Sequence, residues 1–111
     1  MKKNLITAII ILLIITFSVW TITKDNLDVD EELAKCIGEN SMLYIRTGCF
    51  ACEAQKDLFG EDVKHLQIIN CMTQAKECIN NKITSVPTWI INNNKHVSVQ
   101  SINKLKGLTG C

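Results

Sequence analysis

The sequence contains few of the residues on which several large functional classes depend. Its 12 basic residues among 111 are scattered rather than clustered and the formal net charge is +1, so no basic surface for nucleic acid is indicated. The two histidines, His65 and His96, have no ligand or catalytic partner at a regular spacing, and we expect both at the surface. There is one proline, Pro87, and no internal repeat or low-complexity tract.

Charge is also absent from a long apolar segment near the N-terminus. The 18 residues from Leu5 to Ile22 carry no charged side chain and would span about 27 Å as a helix, close to the thickness of a bilayer core. Lys2 and Lys3 precede this segment and acidic residues follow it, so the positive-inside rule predicts a cytoplasmic N-terminus and an extracytoplasmic remainder.

Three interpretations of this segment are open, and we favour an uncleaved membrane anchor. A cleaved signal sequence has the same charged start, but its apolar core is usually about 7–15 residues and ends in a small-x-small site, which the run from Ser18 to Thr21 fits poorly. A buried core helix is the third interpretation, because the segment has no polar face. The favoured division is an anchor over residues 1–24, a tether over 25–32 and a folded domain over 33–111.

What the chain does have is six cysteines, a large number for its length. Disulfides persist in oxidising compartments, where they stabilise domains too small to bury a sizeable core. The cysteine content and the export predicted from the apolar segment therefore agree.

The folded domain alternates helix-like and strand-like segments in the order α-β-α-β-α-β-β-α. We expect Tyr44, Phe59 and Trp89 to lie in its core. The predicted helices are one from Glu31 ended by Gly38, one over 52–59 ended by Gly60, one over 74–79 capped by Thr73, and one over 102–106 capped by Ser101 and ended by Gly107. In the second of these helices we expect Ala54, Leu58 and Phe59 to be buried. The predicted strands cover 42–46 and 66–70, followed by a hairpin of 88–91 and 95–99 around a turn at 92–94.

Cys49 and Cys52 lie three positions apart where the first strand gives way to a helix. This spacing places both thiols on one face of the first helical turn, close enough to form a disulfide and to reopen it by thiolate attack. Free backbone N–H groups and the helix dipole stabilise a thiolate at Cys49, which we predict to be the nucleophile. Cys52, one turn deeper, is then the resolving thiol. We expect this chemistry to need neither a metal nor another cofactor.

The element order, with Cys49-Phe50-Ala51-Cys52 after the first strand and Pro87 before the third, resembles the thioredoxin fold. That resemblance implies an α/β domain with a central mixed sheet of about four strands flanked by helices, here behind a single N-terminal transmembrane helix. More narrowly, the run from Cys49 to Gly60 is similar to the thioredoxin-like domain that is fused to or partners vitamin K epoxide reductase homologues. The similarity continues through Asn70-Cys71, Val86-Pro87-Thr88-Trp89-Ile90-Ile91-Asn92, Val99-Gln100-Ser101 and Gly110-Cys111, and covers roughly residues 33–111.

The resemblance implies roles for further residues. Pro87 matches the family's cis-proline, which leaves the backbone of the preceding residue, Val86, free to pair with an extended substrate strand. The remaining four cysteines allow three connectivities. The short separation of Cys71 and Cys78 favours a local bridge, which leaves Cys36 for Cys111, and relatives share both pairs. The alternative is that Cys71 and Cys78 form a second redox pair that relays electrons.

The predicted function is a membrane-anchored, extracytoplasmic thiol–disulfide oxidoreductase that oxidises protein thiols. Its electrons would pass to a separate membrane partner resembling vitamin K epoxide reductase. Phe50 and Ala51 replace the family's usual proline and histidine, which leaves the direction of electron flow open. The alternatives are a reductant for exported thiols such as those of apocytochromes, a non-catalytic peptide-binding module, a static Cys49–Cys52 staple, and a zinc site built from Cys49, Cys52, Cys71 and Cys78.

Overall fold

A computed structural model describes residues 1–24 and 29–111 of the chain. The first helix, α1 (Lys2–Lys24), contains the apolar segment, and its stretch Lys2–Trp20 is long and apolar enough to cross a membrane. Residues 1–20 are exposed, so this helix is not part of the protein core. Its length and composition fit a membrane anchor and a signal sequence alike.

The tether predicted over residues 25–32 overlaps the second helix. Residues 25–28 lie outside the described part of the chain, and Glu31 and Glu32 form the first turn of α2 (Glu31–Glu39). The carboxylate of Asp30 accepts a hydrogen bond from the Leu33 N–H at 2.7 Å, which satisfies one of the unpaired amides at the helix start. Asp30, which was predicted to belong to the tether, is therefore the N-cap of α2.

Gly38 lies inside α2, and the prediction that it ends the helix is wrong. It is buried, and a Cβ at this position would overlap the carbonyl oxygen of His65. The side chain of Gln67 donates to the Gly38 carbonyl at 2.7 Å. The glycine therefore serves the close approach of α2 to the 3₁₀ helix Gly60–His65 rather than the termination of α2.

His65 was predicted to lie at the surface, but its side chain is only 18% exposed. Its Nε2 lies 3.3 Å from an oxygen of Glu31, and Lys35 approaches the same oxygen at 3.3 Å. The hydrogen bond and charge of Lys35, together with the charge of His65, lower the pKa of the Glu31 carboxyl. These polar contacts link the start of α2 to the 3₁₀ helix.

Four short strands form one mixed sheet, as predicted. They are β1 (Met42–Ile45), β2 (Ile68–Asn70), β3 (Thr88–Ile91) and β4 (Asn94–Val97), in the spatial order β2-β1-β3-β4. β1 pairs in parallel with β2 and antiparallel with β3, while β3 pairs antiparallel with β4. β1 is therefore a central strand, and the chain leaves it directly into the segment that contains Cys49.

The hairpin between β3 and β4 has a two-residue turn rather than the predicted turn over 92–94. Asn92 and Asn93 have φ of 51° and 63°, the left-handed conformations that asparagine tolerates better than most residues. Asn94 already belongs to β4. The short turn brings Ile91 opposite Asn94 and Trp89 opposite His96. His96, which was predicted to lie at the surface, is half-buried.

The three remaining helices are α3 (Phe50–Asp57), α4 (Ala75–Asn80) and α5 (Ile102–Thr109). Ser101 caps α5 as predicted, since its hydroxyl accepts the Lys104 N–H at 3.2 Å, but Gly107 does not end this helix. Gly110, with φ of 77°, does. Thr73 does not cap α4, because Gln74 holds the N-cap position and the Thr73 hydroxyl donates to Asn70.

The buried face of α3 differs from the prediction. Ala54 and Leu58 are exposed, and Gly60 opens the 3₁₀ helix instead of stopping α3. The buried residues are Cys52, Gln55 and Phe59, which follow one another at the i, i+3 and i+7 spacing of one helix face. The buried face of α3 therefore includes a glutamine and lies to one side of the predicted apolar face.

The core confirms the three aromatic predictions. Trp89 is fully buried, Phe59 packs beside it with ring centroids 6.1 Å apart, and Tyr44 is buried on β1. Burial raises the pKa of Tyr44, with the charge of Glu77 acting in the same direction. The aliphatic core around them comes from the sheet and from α2 and α5, through Ala34, Ile37, Leu43, Ile45, Ile91, Ile102 and Leu105.

Candidate functional site

The segment between β1 and α3 places Cys49 at the start of a helix. Gly48, with φ of 80°, takes the left-handed conformation that turns the chain there. Cys49 is the N-cap of α3, and its Sγ accepts a hydrogen bond from the Cys52 N–H at 3.1 Å. A sulfur in this position faces the positive end of the helix dipole and receives an amide hydrogen bond, both of which favour the thiolate form.

Cys49 and Cys52 form a disulfide whose two halves differ in exposure. The Cα atoms are 5.2 Å apart, within the usual range for a disulfide. Cys49 is half-buried, whereas Cys52 is completely buried within the hydrophobic core. Of the two cysteines, Cys49 is therefore the one exposed to an incoming thiol.

The structure brings Val86 and Pro87 to this disulfide from a distant part of the sequence. The Val86 carbonyl oxygen lies 3.9 Å from Cys49 Sγ, the Val86–Pro87 peptide bond is cis, and the proline ring is buried. Among the described residues, no backbone hydrogen bond uses the N–H or the carbonyl of Val86. An extended polypeptide that approaches Cys49 would therefore meet a backbone N–H and carbonyl that, within the described part of the chain, make no backbone–backbone hydrogen bond.

A buried hydrogen-bond network fixes α3 behind the disulfide, and sequence reasoning missed it. The Oε1 atom of Gln55 accepts from Trp89 Nε1 at 2.9 Å and from the Gln100 backbone N–H at 2.7 Å. The Nε2 atom of Gln55 donates to the Gln100 carbonyl at 3.1 Å. Gln55 lies one turn after Cys52, so this network joins the disulfide helix to β3 and to the segment before α5.

Both glutamines of this network are apparent in the sequence, but their pairing is not. Gln55 and Gln100 are 45 residues apart, and both are buried at 6% exposure or less. Both glutamines lie in stretches that resemble the thioredoxin-like domain, residues 49–60 and 99–101. Because a buried amide without partners costs free energy, only the pairing shows why a glutamine is suitable there.

The other four cysteines form two disulfides. Cys36 on α2 is joined to the C-terminal Cys111, and the Cα atoms are 6.0 Å apart across 75 positions of sequence. Cys71, just after β2, is joined to Cys78 on α4 with Cα atoms 5.6 Å apart. Among the described residues no group of histidine, cysteine and acidic side chains is placed to hold a metal ion.

A groove with a volume of about 380 Å³ has Val86, but not Cys49, in its lining. Its walls include the Cys71–Cys78 disulfide, α4 and the chain leading to Val86. Phe50, which directly follows Cys49 at the start of α3, is 95% exposed. The surroundings of Cys49 therefore combine free backbone, a groove and an exposed aromatic ring.

No family model matches this chain.

Proposed function

We propose that this protein is a membrane-anchored, extracytoplasmic thiol–disulfide oxidoreductase with a thioredoxin fold, in which Cys49 and Cys52 exchange disulfides with protein substrates. The observation that carries the proposal is the geometry of Cys49. Its half-buried side chain caps α3, accepts the Cys52 N–H and lies beside the Val86 backbone, which makes no backbone–backbone hydrogen bond to any residue that the structure describes. A disulfide that only stapled the fold would gain nothing from an accessible sulfur at a helix N-terminus.

In the oxidising direction, a substrate thiolate attacks Cys49 Sγ and the Cys49–Cys52 bond breaks, with Cys52 leaving as a thiolate. A second substrate thiolate then attacks the substrate sulfur of this mixed disulfide. The substrate disulfide forms and Cys49 leaves as a thiolate, stabilised by the Cys52 N–H and the helix dipole. Two electrons have moved from the substrate to the Cys49–Cys52 pair.

We propose that these electrons leave through a disulfide of a membrane partner resembling vitamin K epoxide reductase. Cys49 would attack the partner disulfide, and Cys52 would resolve the mixed disulfide, which regenerates the Cys49–Cys52 bond and reduces the partner. The apolar helix α1 supports this arrangement, because an anchor keeps the domain beside a membrane-embedded acceptor.

A trapping experiment tests the exchange reaction. In Cys52→Ser, Cys49 is still able to attack a disulfide but the product has no resolving thiol, so we expect reducible adducts with substrate proteins and with one membrane protein. The full-length variant would be expressed in cells, free thiols blocked by alkylation, and the adducts separated without reductant. The matched control is Cys49→Ser/Cys52→Ser. Adducts in the control equal to those in the single variant would contradict the proposal.

The reduction potential of the Cys49–Cys52 pair tests the direction of electron flow. The stabilised Cys49 thiolate favours the reduced pair, so we expect a potential nearer to about −120 mV, typical of a strong oxidant, than to about −270 mV, typical of a reductant. The full-length protein would be equilibrated in glutathione buffers, alkylated and mapped by mass spectrometry. The Cys36–Cys111 pair is the internal control. A value near the lower figure would support the alternative, a reductant for exported thiols.

A further inference from the structure

The groove beside Val86 contains one charged lining residue, Arg46, in the segment that follows β1. Arg46 is exposed and forms no ion pair with any residue that the structure describes. A guanidinium group offers five donors in a planar fork that suits a carboxylate. The groove therefore presents an unpaired cation to whatever lies in it.

The remaining wall of the groove is mainly apolar. Ala75 and Ile79 on α4 and Ile83 after it line the groove, and Ile79 is 73% exposed. Ala75 and Ile79 belong to the six-residue helix α4, which the Cys71–Cys78 disulfide joins to the residue just after β2. An isoleucine so exposed contributes little to the core, but it can bury apolar surface when a side chain packs against it.

The groove is continuous with the proposed reaction centre. Val86 lines it, and the same residue holds its carbonyl 3.9 Å from Cys49 Sγ. A polypeptide whose cysteine reacts at Cys49 would pair with the backbone of Val86 and continue into the groove. The residues next to its cysteine would then meet Arg46 and the apolar face of α4.

We propose that this groove selects protein substrates with an acidic residue beside the reacting cysteine, an inference that rests on the proposed function. The occupant is an extended substrate segment whose carboxylate pairs with Arg46 and whose apolar side chain packs against Ile79 and Ile83. The selection is independent of the bond exchange itself, which occurs at Cys49.

The test uses three synthetic dithiol peptides that differ only in the two residues flanking the first cysteine, which are glutamate, glutamine or lysine. The full-length protein in detergent, with Cys49–Cys52 oxidised, would be mixed with each peptide, quenched by alkylation and analysed by mass spectrometry. Dithiothreitol, a small neutral dithiol, measures the exchange chemistry without the groove. Each peptide rate is divided by the rate of the same peptide with oxidised glutathione, because flanking charges also change the pKa of the peptide thiol. On this scale we expect the glutamate peptide to react about fivefold faster than the lysine peptide, as one solvent-exposed charge contact allows.

Arg46→Glu is expected to reverse this preference, and Arg46→Gln to abolish it, while the rate with dithiothreitol stays within about twofold of the original, since Arg46 takes no part in bond exchange. Lys104→Glu is the matched control, because Lys104 is an exposed cation on α5 with no ion pair to the residues that the structure describes, and the substitution makes the same change in net charge. It should leave the peptide preference unchanged.

An unchanged preference in Arg46→Glu, or an equal change in Lys104→Glu, would overturn the selection by the groove. The same would follow if Arg46→Glu slowed dithiothreitol as much as the glutamate peptide. A wild-type protein that reacts with neither dithiothreitol nor any peptide would instead contradict the proposed function itself, so the two failures are distinguishable.

Discussion

Replacing Cys49 with serine is expected to lower the rate of thiol–disulfide exchange by about 10³-fold or more, as the loss of a nucleophile does in other covalent catalysts. A hydroxyl neither forms a disulfide nor ionises at neutral pH. The remaining thiol of Cys52 is completely buried, so it cannot take over the reaction. The measurement is the rate at which full-length protein in detergent, with Cys49–Cys52 oxidised, oxidises dithiothreitol or a reduced, unfolded substrate protein.

Ala51→Ser is the matched control for this variant. It introduces the same hydroxyl at an exposed position between the two cysteines without removing a sulfur atom, so we expect its rate to stay close to that of the original protein. Equal rates in Cys49→Ser and in the unmodified protein would show that the disulfide is only a staple. The chain would then be better described as a non-catalytic, peptide-binding domain.

The second large effect is expected on stability, from Cys36→Ser/Cys111→Ser. This disulfide joins α2 to the C-terminus across 75 positions, so it restricts a long loop of the unfolded chain. The chain-entropy model gives a loss of about 4 kcal/mol for a loop of this length. In a domain this small, 1 kcal/mol corresponds to about 4–8 °C in Tm, so we expect a fall of about 15–30 °C. Urea unfolding and thermal melting of the full-length protein in detergent would measure it.

Cys71→Ser/Cys78→Ser is the matched control for the stability prediction. It also replaces two disulfide-bonded cysteines with serine, but the loop it opens spans only 7 positions. The same model gives a smaller loss, about 2.5 kcal/mol. A larger destabilisation from opening the short loop than from opening the long one would contradict the loop-entropy explanation.

Local sequence patterns were sufficient for the order of helices and strands in the folded domain. The element order of the folded domain, the mixed four-stranded sheet and the helix that begins beside Cys49 are all present. The mixed sheet was expected from the resemblance to the thioredoxin fold, whereas the element order and the helix start follow from hydrophobic periodicity and from turn and cap residues, which act within a few positions of the chain. For the same reason the apolar helix α1 was apparent from composition alone.

The errors occurred where a residue has two physical roles. Gly38 was expected to end a helix because glycine often does so, but its missing side chain instead admits the His65 carbonyl within the helix. Gln55 was not included in the predicted buried face of the helix, but it lies in the core because Trp89 and Gln100 satisfy its side chain. Neither partner is a neighbour in sequence, so no local pattern contained the answer.

The sequence by itself determined that this protein has two thiols at a helix start and an apolar segment able to cross a membrane, because both depend on residues that are close together in the chain. Only the tertiary structure decided which groups surround those thiols. The chain returns 37 residues later to bring the Val86 carbonyl to Cys49, and the same return forms the groove that contains Arg46. Long-range packing of the sheet and helices sets these contacts, so they follow from the fold as a whole rather than from any one segment.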